Sequence, residues 1–242
     1  MGSRFIHRFI AGIFAVTLMS TAVAQNNNDP LEPINRAIFF FNQMTFGLYI
    51  KPAARAYDKL LPLPVKDSVH NFIINMRMPR YFVNNALQGK AAQAANCVAR
   101  FVLNSTLGIF GLFDVAADMG LPIYPESFGN TFYKWGWNNS SYLVVPLVGP
   151  STIRDGIGLF GDFLLNPPTY FQPKWRDNYY ILVLIEEHHD AKDVEDLMAI
   201  AGVNDYDLMR SSYLQYRNYY LSGGIVPDSD DQGYYLLGEP PS

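Results

Sequence analysis

Residues 33–50 read PINRAIFFFNQMTFGLYI. Ile34, Ala37, Ile38, Phe41, Met44, Thr45 and Leu48 recur at the i, i+3, i+4, i+7 spacing of a helix with one apolar stripe, and Pro33 has the backbone angle of a first helical position. If that stripe faces inward, Phe39, Phe40 and Phe46 occupy faces where a surface helix carries charge. Arg36 is the only charged residue from Ile34 to Ile50. A helix that is apolar nearly all round lies in a large core or in lipid. Two readings follow. One is a soluble protein with an aromatic-rich core; the other is a helical domain lying in one membrane leaflet with its aromatics at headgroup level.

Working outward, prolines and glycines divide the chain into short helical segments. Pro52 opens a helix that stops before Pro62, Pro64 opens one through Val69, Phe72 and Ile73 that ends before Pro79, and Tyr81 to Gln88 forms a third, stopped by Gly89. Lys90 to Thr106 is longer, and Ala91, Ala92, Ala94, Ala95 and Ala99 leave room for a close neighbour. Ser127 and Ser151 read as N-caps of helices toward Tyr133 and Phe163, and Asp177 and Asp205 as caps of two later ones. Only Tyr142 to Val148, with its β-branched run, reads as extended. The expected class is all-α. Past residue 24 the longest uninterrupted apolar run is Tyr179 to Ile185, far short of the roughly 20 residues that span a bilayer.

The chain has 242 residues, 17% charged, 49% hydrophobic and 15% aromatic. Its 18 Lys+Arg against 22 Asp+Glu give a formal charge of −4, the wrong sign for a nucleic-acid footprint. Residues 1–24 read as a signal peptide: a basic start at Arg4 and Arg8, an apolar run from Ile10 to Met19, and Ala22-Val23-Ala24 placing the cut between Ala24 and Gln25. Residues 25–222 form the domain and 223–242 an acidic, disordered tail. Charge is uneven: 25–184 holds 13 basic and 10 acidic residues, 185–242 only 3 basic and 12 acidic. Cys97 is the single cysteine, which excludes an intrachain disulfide and a multi-cysteine metal site; it reads as a small buried apolar residue.

Nucleophile-elbow, phosphate-loop and zinc-protease motifs are missing, so no catalytic residue and no cofactor are expected. Glu186-Glu187-His188-His189-Asp190 reads as a solvated helix face, since neighbours about 100° apart cannot turn both histidines to one ion, and no metal is expected. His70 stands alone as a surface or core histidine. Arg154-Asp155 is open between a buried pair and first-turn helix charges.

Several blocks resemble one family. Asp29-Pro30-Leu31-Glu32-Pro33-Ile34-Asn35-Arg36 followed by Phe39-Phe40-Phe41-Asn42 is similar to the opening signature of the VacJ/MlaA family of Gram-negative outer-membrane proteins. Pro79 to Gly89 with Asn84, Leu87 and Gln88, the run Arg100 to Gly108, Gly111 to Ala116, Phe128-Gly129-Asn130-Thr131, Trp135-Gly136 and Pro146 to Asp155 continue it in family order. The resemblance implies a single ring-shaped, all-helical domain in the inner leaflet of the outer membrane, with an amphipathic central channel. It also implies phospholipid as cargo, passed from the outer leaflet to a periplasmic lipid carrier, a trimeric porin as partner, and no enzyme activity. The familiar members are lipoproteins, whereas this chain has Ala24-Gln25 where the lipidated cysteine would follow the signal.

For the channel lining the alternating amides and aromatics of the 127–160 region are the candidates: Asn130, Lys134, Trp135, Trp137, Asn138 and Tyr142, leading to Arg154 and Asp155, where a base meets a phosphate. Phe39, Phe40 and Phe46 are the membrane-contact candidates. The expected place is the periplasmic face of the outer membrane, without an acyl anchor. The rival, suggested by the missing anchor, is a soluble periplasmic lipid-binding chaperone.

Overall fold

The structure, a computed structural model, describes residues 29–200 and 206–223, with the backbone alone over 189–200. The signal cut at Ala24 and Gln25, the tail beyond residue 223, the Asp205 cap, and the side chains of His189 and Asp190 lie outside the described residues.

Helix α1 (Glu32–Thr45) continues through one π-helical turn (Phe46–Ile50) straight into α2 (Lys51–Leu60). Pro52 lacks an N–H, and in a regular α-helix its ring would strike the carbonyl four residues back; the wider π-turn just before it relieves both problems. Helix α3 (Leu63–Leu87) runs through Pro79, so the break expected there is corrected to one 25-residue helix. Tertiary packing overrides the proline. Met78 and Tyr81, on either side of it, are buried with Cys97 of α4 (Ala91–Thr106), and Ile74, Phe101 and Tyr124 pack around them. The small residues of α4 permit that approach, and burial pushes the Cys97 thiol up to about 11.

A short α5 (Val115–Asp118) and α6 (Phe128–Lys134) follow, then an antiparallel hairpin of β1 (Tyr142–Val145) and β2 (Gly149–Thr152), paired from Tyr142↔Thr152 to Val145↔Gly149. Helix α7 (Ile153–Leu164) and a 3-10 turn (Pro167–Tyr170) lead to α8 (Pro173–Ile200), which packs on α2, and to α9 (Tyr206–Leu221). Ser127 caps α6 as expected, its hydroxyl accepting from Asn130 N. The cap of α7 is Thr152 rather than Ser151: Thr152 is the last residue of β2 and its hydroxyl accepts from Asp155 N, while Ser151 lies one residue further back in the strand. Asp177 sits inside α8 and pairs with Arg176 instead of capping it. The second strand was hidden by Gly149 and Pro150, both poor strand formers. No helix among the described residues is long and apolar enough to cross a membrane.

The phase of α1 reverses expectation. Ile34, Phe41, Met44 and Leu48, four of the seven residues in the supposed inward stripe, are each more than half exposed, as is Phe40. Buried instead are Asn35, Phe39 and Asn42. Each amide meets the hairpin with both of its groups: Asn35 accepts from Val144 N at 2.8 Å and donates to Tyr142 O at 3.2 Å. Asn42 accepts from Leu147 N at 2.8 Å and donates to Val145 O at 3.0 Å. Phe39 lies between them on the same face and is drawn into a cluster with Tyr142, Val144 and Tyr206, so its membrane assignment is corrected to core. Phe46 is half-buried, its ring 4.4 Å from that of His188.

Among the described residues as many polar or charged side chains as hydrophobic ones are buried, and exposed large hydrophobics outnumber both. The apolar surplus of the composition is therefore on the outside.

Candidate functional site

Three of the eight predicted lining residues, Asn138, Arg154 and Asp155, come together where α6, the hairpin, α7 and α9 meet. Thr152 ends β2 and caps α7, accepting from Asp155 N at 3.1 Å, while Ser140 Oγ accepts from Arg154 N at 2.8 Å. These two bonds fix the first turn of α7. Helix α6 lies close against it, since a Cβ on Gly158 would fall 2.5 Å from Gly129 N and one on Gly129 would fall 2.2 Å from Asp155 Oδ1. The glycine of the Phe128-Gly129-Asn130-Thr131 block is thus the floor under a carboxylate.

Asp155 receives two guanidinium groups. Arg217 of α9 donates from Nε at 2.8 Å and from Nη2 at 2.7 Å, a bidentate pair, and Arg154 donates from Nε at 3.1 Å. Tyr213 O–H adds a bond at 3.2 Å. Burial alone would raise the Asp155 carboxyl; the bonds and charges of Arg217 and Arg154 outweigh it and hold the group below its ordinary range. Arg154 is 2% exposed and also donates to Trp137 O and Asn138 O, with its plane over the Tyr133 ring. Of the two readings left open for Arg154-Asp155, the buried pair holds. Two cations on one anion leave a surplus positive charge beside a cavity of about 250 Å³, lined by Asn138, Asn139, Ser140, Thr152, Arg154, Leu214, Arg217 and Asn218. No carboxylate lines it. A site of this kind attracts an anion and offers it guanidinium, amide and hydroxyl donors.

The structure divides the other predicted residues. Asn138 and Arg154 line the cavity, and Asp155 holds the arginines behind it. Asn130 points to Glu126, donating at 2.8 Å, with its own carbonyl oxygen buried and unpartnered. Lys134, Trp135 and Trp137 are exposed; Trp135 donates to Leu87 O at 3.2 Å, and Trp137 packs on Phe132. Tyr142 is 1% exposed inside the α1–hairpin core, so its place in a lining is corrected: its ring faces Tyr206 and Tyr213. Beside the cavity a second polar knot joins α3, α6 and α7. Thr131 donates to Asn84 Oδ1 at 2.7 Å, and Asn84 and Phe128 N both donate to the buried Asp162. Burial raises the Asp162 carboxyl against the opposing charge of Arg80 and the bonds from Phe128 and Asn84.

Sequence reasoning missed Arg217 and Tyr213. A signal was present: in the acidic segment 185–242 only three residues are basic, and two of them, Arg210 and Arg217, are seven apart on one helix. Each turns inward to a carboxylate, Arg210 toward Asp29 at 3.9 Å and Arg217 onto Asp155. The cluster at 186–190 is also corrected. Glu186 is buried and paired with His70, and Glu187, though exposed, bonds Arg77 at 2.6 Å, so these two residues fasten α8 to α3. His70 is therefore not alone.

Fold and site together define a helical protein with an apolar exterior and a polar, arginine-bearing interior junction. The pattern of the MlaA lipoprotein family matches residues 27–220, and the chain belongs to that family. A protein of Rickettsia bellii is 34% identical over 78% of this chain and 75% of its own length. The intermembrane phospholipid transport system lipoprotein MlaA of Shigella flexneri is 30% identical over 86% of this chain and 84% of its own. A solved structure described as a structural basis for maintenance of bacterial outer membrane lipid asymmetry superimposes with a TM-score of 0.65 at 29% identity, covering 80% of this chain and 96% of its own.

Proposed function

We propose that this chain is an outer-membrane component of phospholipid transport that maintains lipid asymmetry by giving misplaced phospholipids a passive path to a periplasmic carrier. The observation that carries this reading is the reversed polarity of the molecule. Phe40, Phe41, Met44, Leu48 and Tyr49 line the outside of α1 and the π-turn, while Arg154 and Arg217 line an amide-bearing cavity with Asp155 behind them. Apolar exterior meets acyl chains; the surplus cation and its amide donors suit a phosphodiester headgroup, whose charge needs partners wherever water is excluded. No bond is broken in such a passage. The domain is a ring in the inner leaflet with this cavity on the lipid path, and a trimeric porin holds it in place. In this reading the chain is exported by a signal cut between Ala24 and Gln25 and is retained by its apolar exterior.

Deletion of the gene tests the role. Surface-exposed phospholipid should rise and fall again on complementation; no rise would remove the transport role. Purified protein with labelled phospholipid should release neither free fatty acid nor lysolipid.

A further inference from the structure

Seven of the arginines among the described residues have a carboxylate within 3.9 Å, and Arg55 is exposed. Arg80 of α3 is neither paired nor exposed. It is half-buried, its Nε is shut off from solvent with no hydrogen-bond partner in the protein, and its guanidinium carbon lies 5.0 Å from the centre of the Tyr81 ring. Among the described residues no carboxylate bonds it. Asp162, whose carboxyl feels its charge, is held instead by Asn84 and Phe128 N.

Helix α8 brings a second unpartnered donor to the same place. Tyr179 is 6% exposed, with its ring edge-on to Phe72 of α3 at 6.3 Å, and its hydroxyl is buried without a partner. Burial raises that hydroxyl above its ordinary range, while Arg77, Asn166 and Arg80 pull the other way. The charged groups that act on it most strongly are therefore both cations, and Arg77 is one turn before Arg80 on α3. Asn166, from the segment between α7 and α8, donates from Nδ2 to the Tyr180 hydroxyl at 3.3 Å and leaves the other end of its amide buried and unpartnered.

Leaving a buried donor without an acceptor is costly, and a charged one costs more. The Nε–H of Arg80 and the O–H of Tyr179 are both donors, set in a positive field. A phosphate-type oxyanion supplies what both lack, a counter-charge and several acceptor oxygens. A half-turn of the Asn166 amide would offer its N–H groups to the same anion and let the Tyr180 hydroxyl donate to the carbonyl. A neutral or cationic ligand would leave Arg80 uncompensated. We propose that Arg80 and Tyr179 form a second anion station, at the α3–α8 junction and sharing no residue with the Arg154–Arg217 cavity, which takes a phosphate group carried on a lipid or free in solution. Where the phosphate is a lipid's, the station rests on the transport reading above and gives the headgroup a second hold on its path.

The full chain in non-ionic detergent, made with fluorotyrosine, tests the station by fluorine NMR, the Tyr179 signal being the one that Tyr179→Phe removes. Titration with inorganic phosphate at constant ionic strength, and separately with a short-chain phosphatidylglycerol, should shift that signal saturably. Arg80→Gln should weaken the response about tenfold or more. A response to inorganic phosphate supports the station with the free anion as a ligand; a response to the lipid alone supports it with the headgroup as the source. Because neither group has a partner to lose, Arg80→Gln and Tyr179→Phe should leave the thermal unfolding midpoint of the ligand-free chain in place or raise it. No saturable shift with either probe, an equal response in Arg80→Gln, or a lowered midpoint in both variants overturns the station. Surface phospholipid that rises on gene deletion while Tyr179 stays silent removes the station and keeps the transport role; a Tyr179 response without that rise does the reverse.

Discussion

At the scale of single residues, Asp155 is the group on which the interior junction depends. It is the shared counter-ion of Arg154 and Arg217 and rests against Gly129. Asp155→Asn leaves two guanidinium groups facing each other with no anion. Breaking a buried pair in this way costs about 3–5 kcal/mol, so urea unfolding in detergent should show a loss of that order at neutral pH. The pH dependence has a fixed sign. The folded carboxyl is held below its ordinary range, so its contribution is complete above that range and is lost as pH falls through the folded value. The gap between wild type and Asp155→Asn should therefore close on acidification, and a gap that widens would contradict the assignment. Gly158→Ala belongs to the same contact. Its Cβ would meet the Gly129 backbone at 2.5 Å, so α6 must move from α7, and a loss of about 1–3 kcal/mol should appear in the same measurement.

At the scale of elements, α1 separates two functions that its sequence runs together. Phe39 and Phe40 are neighbours, yet one is 7% and the other 63% exposed. Phe39→Ala should cost about 3–5 kcal/mol of folding stability through the cavity it leaves among Tyr142, Val144 and Tyr206. Phe40→Asp should leave the unfolding midpoint in place and weaken sedimentation with membranes. Equal effects of the two would contradict the helix phase. That phase is also where the sequence was least legible. Hydrophobic periodicity correctly located a helix starting near Pro33, but the rule that the apolar side is the inner side fails when lipid is the surroundings, and it assigned Ile34, Phe41, Met44 and Leu48 to the wrong face. What turns α1 is a pair of asparagines two turns apart that bond a hairpin over a hundred residues later, a relation periodicity does not contain. Pro79 misled for a related reason, because packing on both sides of it keeps α3 whole. The family-like blocks were legible as letters before they were legible as contacts. Asp29, Asn35 and Arg36 tie the start of α1 to Tyr206 and Asp207 of α9, and Asn84 with Thr131 joins α3 to α6. In the lining candidates Arg154 and Asp155 stood out as an adjacent pair of opposite charge, while Arg217, 62 residues further along than Asp155, had no local partner to mark it.

At the scale of the whole molecule, the question is what holds the chain at a membrane. Its net charge is small and negative, and although 25–184 is slightly basic, attraction to anionic lipid would be screened within about 3 Å at 1 M salt. Burial of apolar side chains is untouched by that screening. A high-salt wash should accordingly leave the protein in the outer-membrane fraction and detergent should release it; release by salt would point to electrostatic docking, and recovery in osmotic-shock fluid to the soluble lipid-binding chaperone. Phe40 on α1 and Phe110 in the turn after α4 are both exposed, and they lie on separate elements. Losing one buried phenylalanine is worth about 1.5–3 kcal/mol, and effects at separate sites add. Phe40→Asp and Phe110→Asp should each lower vesicle partitioning at least about tenfold, and the double variant about 10²–10⁴-fold, measured by flotation against lipid concentration. A double variant no weaker than either single one would mean that both side chains serve a single contact, and the molecule would then sit on the leaflet by one edge instead of lying in it.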